Sequence, residues 1–256
     1  MAVWDAEQYL KFEKQRTQPS IDLAARIPRD APAAVLDVGC GPGNSTKVLK
    51  ERFPSADILG IDNSAEMVYA AKKNYPELKF MQCDAAAELH RLGRKFDVIF
   101  SNACLQWIPN HPVLLKTMME YLNEGGVLAV QIPVNQEEPI HRIITAAAES
   151  DEWRHKFSTP RIFHQLPAGV YHDLLAQRSS DFELWQTTYF HRMQSHGAIM
   201  EWYRGTGLRP YLQVLSAEEQ AAFERVVYDA LVAEYPVQEN GEIIFRFPRL
   251  FFLAEK

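Results

Sequence analysis

A glycine-rich loop directly follows a short apolar run, and it constrains the fold more than any other feature of the chain. Residues 34–38 read Ala-Val-Leu-Asp-Val, which is typical of a buried strand, and the segment Asp37–Gly43 then places glycines at positions 39, 41 and 43. Glycine lets the backbone approach a ligand closely. The dinucleotide fingerprint would need a further glycine where this chain has Asn44, which argues against a nicotinamide dinucleotide. The alternative is a tight strand-to-helix turn without a ligand.

Strands and helices alternate over the first half of the chain. The loop leads into a predicted helix at 45–53, and further strands are predicted at 58–62, 78–84, 96–102 and 127–132. This alternation indicates a parallel sheet with right-handed crossovers. Two more strands are predicted at 182–193 and 242–255. We therefore expect an α/β fold with a doubly wound, mostly parallel seven-stranded sheet.

The segments around this sheet are expected to differ in role within a single domain of residues 1–256. Residues 31–134 form the predicted ligand-binding core, and residues 1–30 a helical cover at the N-terminus. The stretches 135–181 and 194–241 contain helical patterns on either side of the sixth strand. We expect them to be helical lid insertions.

Composition and charge exclude several classes of function. The net charge of −6 argues against a nucleic-acid partner, because such a partner needs a basic face. No apolar run approaches the ~18 residues of a membrane span, and the first residues carry acids and no basic signal region. The three cysteines form no CxxC pair, and no histidine spacing is typical of metal ligands. These features predict a cytoplasmic protein without metal or disulfide.

Polar side chains occupy the predicted ends of the three strands that follow the loop. Asp62 ends the second strand, where its carboxylate can accept hydrogen bonds from both ribose hydroxyls of a nucleoside. Asp84 ends the third, where it can accept from the adenine amine, and Asn102 ends the fourth. Open α/β sheets bind ligands at these carboxyl ends. A helix-capping role for Asp62 and a solvated turn for Asp84 are the alternatives.

Several segments resemble a known family. Val35–Asn44 is similar to motif I of the class I S-adenosylmethionine (SAM) dependent methyltransferases, and Asp62 and Asp84 stand where that superfamily has its ribose and adenine acids. Further blocks make the chain similar, nearly end to end, to bacterial trans-aconitate 2-methyltransferases. These blocks are Trp4–Leu10, Gly41–Thr46, Asn102–Trp107, Gly207–Pro210, Tyr235–Gly241 and Phe247–Phe251.

The resemblance implies SAM as the cofactor and S-adenosylhomocysteine as the product. The predicted cofactor-binding residues are Asp37, Gly39, Cys40, Gly41, Asp62, Asn63, Asp84, Ala85 and Asn102. The acceptor it implies is a small anionic polycarboxylate such as trans-aconitate, methylated on a carboxylate oxygen. A carboxylate is already ionised at pH 7, so no general base is required. The protein has to align the reacting atoms at ~3 Å contact and exclude water.

Arginine suits the remaining carboxylates, because its guanidinium pairs with them bidentately. The predicted acceptor-binding residues are Arg16, Gln106, Trp107, Arg142, Tyr171, Trp202, Arg204 and Arg209. For any single arginine the alternative is a solvated surface position, and for Trp107 a core position. Arg246 and Arg249 alternate with apolar residues on the last strand, so we expect structural roles for both.

Two other functions compete with this interpretation. A methyltransferase acting on a malonyl group carried by an acyl carrier protein would suit the Asn102–Trp107 block as well. Such an enzyme needs a basic outer face that attracts its acidic partner. A regulator that binds SAM without catalysis would need no enclosed pocket with convergent arginines.

Overall fold

The computed structural model describes residues 13–157 and 163–256, and a seven-stranded sheet forms its centre. The strands are β1 (Ala34–Val38), β2 (Asp57–Asp62), β3 (Lys79–Gln82), β4 (Phe96–Asn102), β5 (Leu122–Pro133), β6 (Phe182–Met193) and β7 (Ile243–Glu255). Their order across the sheet is β3-β2-β1-β4-β5-β7-β6. The first five pair in parallel, and β7 runs antiparallel to β5. The predicted α/β fold with a mostly parallel seven-stranded sheet is confirmed.

Helices connect the strands along the described chain. They are α1 (Glu13–Arg26), α2 (Asn44–Arg52), α3 (Ala65–Asn74), α4 (His111–Glu120), α5 (Pro139–Glu149), α6 (Ala168–Ala176), α7 (His196–Arg204), α8 (Arg209–Leu212) and α9 (Ala217–Glu234). Short 3-10 turns lie at Leu89–Leu92, Leu105–Trp107 and Arg154–Lys156. Within the described residues, no helix is both long and apolar enough to span a bilayer.

The central strands are buried because they consist largely of apolar residues. Val35, Leu36 and Val38 of β1 are all sheltered from solvent, and β4 has the same character. Helices on a parallel sheet cover such strands, which is why their sequences show continuous apolar runs instead of alternation. The buried polar side chains on the central strands, those of Asp37, Ser101 and Gln131, all lie toward the carboxyl ends.

Three predicted boundaries differ from the structure. β3 ends at Gln82, so Asp84 lies in the turn after the strand and not on it. β5 begins at Leu122 and not at Val127, because Leu122 pairs with Phe96 before a register shift that Gly125, at φ +68°, accommodates. In the stretch 135–181 the sequence pattern predicts a helix over 137–157, but α5 ends at Glu149 and is followed by a turn.

The described residues group into two compact units. The unit we call the sheet unit comprises residues 16–133, 163–187 and 249–256. The other, the aromatic unit, includes residues 134–157 and 188–248 and has a core of packed rings and aliphatic side chains. The cover and lid roles of residues 1–30, 135–181 and 194–241 stay predictions.

Candidate cofactor and acceptor site

The glycine loop is tied to the neighbouring strand by backbone hydrogen bonds. The amides of Gly39 and Cys40 both donate to the carbonyl of Ile61, at 2.8 and 2.9 Å. Gly39 has a φ of +75°, and a side chain there would overlap the thiol of Cys104. Gly41 also has a positive φ, but nothing lies within 4 Å of where its Cβ would be. The loop therefore needs glycine for its conformation and leaves open space beside Gly41.

Asp62 fixes the loop from the end of β2. Its Oδ2 accepts from the amide of Gly41 at 3.0 Å, and its Oδ1 accepts from the amide of Ser64 at 2.9 Å. Burial raises the pKa of this carboxyl, and the two backbone donors act in the opposite direction. A carboxylate oxygen accepts more than one hydrogen bond. Asp62 can thus orient the loop and still accept from a ligand's hydroxyls.

Asp37 is a fully buried carboxyl on β1. The hydroxyls of Ser45 and Thr46, at the start of α2, both donate to its Oδ2 at 2.6 Å. Its Oδ1 has no hydrogen-bond partner in the described parts of the chain. Burial raises the pKa of Asp37 to about 6, even though the two hydroxyls lower it. The unpaired oxygen suits a donor or a cationic group on a ligand.

The turn after β3 places Asp84 and Ala85. Asp84 Oδ1 accepts from the amide of Ala86 at 2.9 Å, and the Asp84 amide donates to Oε2 of Glu88 at 3.0 Å. Ala85 is buried, whereas Asn63, which follows Asp62, is exposed. The side chain of Asp84 therefore shapes its own turn with one oxygen, as an aspartate in a turn commonly does.

The end of β4 carries two more unpaired polar atoms. Asn102 Oδ1 is buried without a partner among residues 13–157 and 163–256, and so is Oε1 of Gln106. Gln106 Nε2 donates to the carbonyl of Ala103 at 2.7 Å, which holds the amide in place. Ala103 has a φ of +53°, a strained value for a residue with a side chain. Such strain concentrates at functional sites.

Two cysteines flank this region, Cys40, which is buried, and Cys104, which is half-buried. Burial raises the pKa of the Cys40 thiol, and it raises that of Cys104 to about 12. Both thiols are therefore protonated and unreactive at neutral pH. Within the described ranges, no cluster of residues has the arrangement of a metal site.

Two predicted acceptor-binding residues of the sheet unit take different positions. Trp107 is partly exposed, and its ring packs 5.2 Å from that of Phe163. Tyr171 is fully buried, and its hydroxyl lies 2.6 Å from Nδ1 of His111. The same hydroxyl accepts from the Leu166 amide. The hydrogen bonds of Tyr171 therefore serve the local structure.

The predicted acceptor residues of the aromatic unit include arginines that are already paired. Arg204 makes a bidentate ion pair with Glu224, with N–O distances of 2.5 and 2.9 Å. Arg142 lies 4.0 Å from Glu234 at the surface. Arg209 is half-buried at the start of α8, and Trp202 is buried in the aromatic core. The side chain of Arg16 lies outside the described residues, and its predicted role stays a prediction.

A buried pair on β5 and β7 was not among the predicted site residues. Arg249 Nη1 donates to Oε1 of Gln131 at 2.9 Å, and both side chains are buried. Gln131 is opposite Asn102 in the register of β4 and β5. The signal that could have found them is a polar residue inside an otherwise apolar run, at the carboxyl end of the sheet.

Comparison with known proteins decides the family. A model described as a methyltransferase domain matches residues 30–195. The chain is 45% identical over 255 residues to the trans-aconitate 2-methyltransferase of Azoarcus sp. (strain BH72), with 99% of each chain covered. It is 42% identical over 257 residues to that of Enterobacter sp. (strain 638), covering 100% of this chain and 99% of the relative. The chain belongs to the trans-aconitate 2-methyltransferase family.

Solved structures support the fold of this family member. The YcgJ protein from Bacillus superposes with a TM-score of 0.60 at 16% identity, covering 93% of this chain and 98% of that one. A phosphoethanolamine N-methyltransferase of Haemonchus contortus, in complex with S-adenosylhomocysteine, gives 0.56 at 16% identity, covering 93% of this chain and 52% of that one. These neighbours share the architecture of the sheet. The predicted class I methyltransferase fold is confirmed.

The described residues fit the family's cofactor, SAM. The loop is open beside Gly41, Asp62 retains free lone pairs, and Asp37 and Asn102 each have a buried oxygen that no described residue satisfies. SAM carries hydroxyls, amines and a positive charge, which are the partners that such oxygens need. The chain is thus a SAM-dependent methyltransferase of this family.

Proposed function

We propose that this enzyme transfers the methyl group of SAM to a carboxylate oxygen of trans-aconitate, giving the monomethyl ester and S-adenosylhomocysteine. The observation that carries the proposal is the 45% identity to a trans-aconitate 2-methyltransferase over 99% of both chains. The polar atoms at the carboxyl ends of β1, β2 and β4 support it, because they offer the contacts that the methyl donor needs.

The proposed cofactor contacts use carboxylate oxygens that can still accept a hydrogen bond from a ligand. We propose that Asp62 accepts from the ribose hydroxyls and Asp84 from the adenine amine. Asp37, ionised at neutral pH, attracts the ammonium of the methionine part through its free oxygen. Gly39 and Gly41 let the backbone approach the donor closely. When bound, the donor supplies an electrophilic methyl on a positively charged sulfur.

The chain's own part in the reaction is to orient the acceptor and exclude water. An acceptor carboxylate is ionised at neutral pH, so no residue has to remove a proton from it. The sulfur leaves uncharged, so no residue has to donate one. Asn102 and Gln106 are proposed to line the point where donor and acceptor meet, because the buried, unsatisfied oxygen that each carries at the carboxyl end of β4 can accept from an N–H or O–H group of the methyl donor. Bringing the reactants into contact supplies the rate enhancement.

The acceptor's remaining carboxylates need cationic partners. We propose that at least one of Arg142, Arg204 and Arg209 binds them, with Arg16 as a further candidate. Arg204 would have to release Glu224 to do so, since its guanidinium already pairs with that carboxylate. Replacing each of the three singly by Met should therefore identify the one whose loss raises the KM for trans-aconitate while SAM affinity stays normal.

The function is tested by offering the enzyme a panel of acceptors with SAM and detecting methyl esters by mass spectrometry. We expect trans-aconitate to be the fastest acceptor among small polycarboxylates. Faster methylation of a malonyl group on a carrier protein would overturn the substrate assignment but not the methyltransferase activity. Tight SAM binding without any methyl ester from either class of acceptor would instead indicate a regulator.

A further inference from the structure

The loop after β4 carries Gln106 on a short turn, and we call its residues 103–110 the β4 loop. The amide of Ala103 donates to the carbonyl of Gln131 at 3.0 Å, which ties the start of the loop to the end of β5. Ala103 at φ +53° and Asn110 at φ +57° both have a left-handed backbone. Residues other than glycine keep such a conformation only where their surroundings enforce it. The β4 loop therefore depends on contacts that hold it in place.

Two such contacts hold the peptide groups on either side of Gln106. Nε2 of His111 lies 2.8 Å from the carbonyl oxygen of Leu105, which belongs to the peptide group before Gln106. The amide of His164 donates at 2.9 Å to the carbonyl of Gln106, which belongs to the peptide group after it. Peptide groups are planar, so the backbone of a residue is fixed once the planes on both sides are held. The place from which the Gln106 side chain extends is thus set from outside the loop.

The hydrogen bonds of His111 show which of its ring nitrogens carries the proton. A carbonyl can only accept, so Nε2 is the donor to Leu105. Nδ1 lies 2.6 Å from the hydroxyl of Tyr171, whose oxygen already accepts from the Leu166 amide at 3.2 Å. The hydroxyl hydrogen is therefore donated to Nδ1. Burial lowers the pKa of His111 and raises that of Tyr171, which keeps both side chains neutral at pH 7.

These contacts come from one segment of the chain. His164 and Leu166 precede α6, and Tyr171 lies within it. Residues 164–171 thus hold both peptide groups beside Gln106, one directly and the other through His111. A buried network in which every donor and acceptor is satisfied makes its surroundings rigid. The turn that carries Gln106 therefore has a rigid support.

We propose that His111 is a positioning residue for methyl transfer, which acts by fixing the peptide group before Gln106, and that Tyr171 orients His111. The inference rests on the proposed function, in which Gln106 lines the point where donor and acceptor meet. Nε2 of Gln106 is held by the Ala103 carbonyl at 2.7 Å, while Oε1 is buried without a partner in the part of the chain that the structure describes. The place of this oxygen therefore depends on the backbone that His111 holds, and a shift of about 1 Å slows such a reaction strongly.

The first test compares His111→Asn with His111→Gln, because each keeps a different half of the contacts. An asparagine amide reaches about as far as Nδ1 of histidine, so it can accept from Tyr171 but leaves the Leu105 carbonyl without a donor. A glutamine amide reaches about as far as Nε2 and can still donate to Leu105. For His111→Asn we expect kcat at saturating SAM to fall roughly 10-fold or more, with the KM for trans-aconitate within about twofold. His111→Gln should keep kcat within about threefold.

Thermal stability and a remote histidine are the controls. Each variant of His111 loses one buried hydrogen bond, so their thermal midpoints should be similar, and a purely structural role would change their kcat alike. His90→Asn is the matched substitution, since His90 is exposed with Nδ1 3.2 Å from the Ala87 carbonyl, and it should keep the kcat of wild type. Equal kcat values for His111→Asn and His111→Gln, whether lowered or not, would overturn the inference.

A double-mutant cycle shows whether His111 acts through Gln106. Gln106→Ala should itself lower kcat, and adding His111→Asn should cause almost no further fall, because no side chain remains to be positioned. The inference is wrong if His111→Asn lowers kcat as much in the Gln106→Ala protein as in wild type, or if Gln106→Ala leaves kcat unchanged.

Tyr171→Phe keeps the inference testable if His111→Asn does not fold. The ring and its packing against Phe252, with centroids 5.4 Å apart, are retained, and only the hydroxyl is lost. We expect kcat to fall about threefold to tenfold, and an unchanged kcat would count against the inference. If wild type methylates no small polycarboxylate, the proposed function fails, and the variants are compared on the acceptor that it does methylate. If it methylates trans-aconitate and His111→Asn does so equally fast, only the role of His111 fails.

Discussion

The sheet unit and the aromatic unit use charged residues in opposite ways. In the sheet unit, the buried carboxyl of Asp37 and the half-buried carboxyl of Asp62 are held by hydroxyls and backbone amides at the ends of strands. In the aromatic unit, Arg192 and Arg204 pair with glutamates at the surface, and the core consists of packed rings and aliphatic side chains. A carboxyl that is kept in the interior costs free energy, so its position reflects function more strongly than that of a surface ion pair does.

Aromatic packing holds the aromatic unit together. The ring of Phe245 is fully buried, with its centroid 5.9 Å from those of Tyr203 and Tyr235 and 6.1 Å from that of Trp202. Ring pairs at such distances contribute beyond the area they bury. We therefore predict that the stability of the aromatic unit depends on its buried apolar volume. In the sheet unit, by contrast, we expect the cofactor-binding carboxyls to be replaceable without loss of the fold.

The largest expected effect comes from Phe245→Ala. Removing a fully buried ring should lower the free energy of unfolding by about 3–5 kcal/mol, because a cavity remains where the ring packed. Denaturant titration measures the change, with Phe190→Ala as the control, since Phe190 is 64% exposed on β6. A loss below about 1 kcal/mol would mean that the ring cluster is not what stabilises this unit.

Asp62→Ala should have the next largest effect, on SAM affinity. Two charge-assisted hydrogen bonds to ribose would be lost, which is worth about 2–4 kcal/mol together. Calorimetric titration measures the dissociation constant. The control is Asp57→Ala at the other end of β2, whose carboxylate pairs with Lys79 and Arg94. If both variants bind SAM like wild type, Asp62 serves the loop alone.

Asp37→Asn should remove a pH dependence of stability. Burial gives Asp37 a pKa of about 6 in the fold against an ordinary value of 3.8, so the folded state holds its proton more tightly than the unfolded state. Wild-type stability from this group is therefore full below pH ~4 and falls by about 3 kcal/mol as the pH rises through ~6. The Asn variant should lack this slope, so the difference between the two proteins, measured by urea unfolding at several pH values, isolates it.

The same substitution sharpens the contrast between stability and binding. Asn can still accept from Ser45 and Thr46 but carries no charge for the cofactor's ammonium. We expect Asp37→Asn to be at least as stable as wild type at pH 7 and to bind SAM more weakly. A variant that loses stability at pH 7 and keeps its SAM affinity would show that Asp37 is a structural residue.

Sequence patterns predicted the sheet unit well because its signals are local. The strands at Ala34–Val38 and Phe96–Asn102 have the predicted limits. The boundary errors fell where glycine or a turn overrode the pattern, as at Gly125. The pairing of Arg249 with Gln131 joins residues 118 positions apart, and such contacts leave no mark in a local pattern.

The charged residues of the aromatic unit illustrate the same limit. Arg204 was predicted to bind the acceptor from its residue type and segment alone, and its bidentate pairing with Glu224 depends on how α7 and α9 pack. No spacing rule predicts which carboxylate a surface arginine will meet. Its proposed role therefore depends on measurement, and its effect on stability can be predicted separately.

Breaking the Arg204–Glu224 pair should have a small effect on stability. Exposed ion pairs contribute about 0.2–1 kcal/mol, so Arg204→Met should lower the free energy of unfolding by no more than that. Glu224→Gln is the matched variant, because it breaks the pair and leaves the arginine. A raised KM in Arg204→Met alone would indicate acceptor binding, and a stability loss above 2 kcal/mol in both variants would contradict the view of this pair as a surface contact.

The smallest expected effect is that of pH on turnover. With SAM and trans-aconitate saturating, kcat should be nearly flat from about pH 6 to 8, because the acceptor carboxylate has a pKa near ~4 and no base has to act. His111 is unsuited to be such a base, since Nε2 lies 2.8 Å from the Leu105 carbonyl and Nδ1 2.6 Å from the Tyr171 hydroxyl. Burial also lowers its pKa. A bell-shaped kcat profile centred near neutrality would contradict this, and His111→Gln and His172→Gln would then show which histidine takes part.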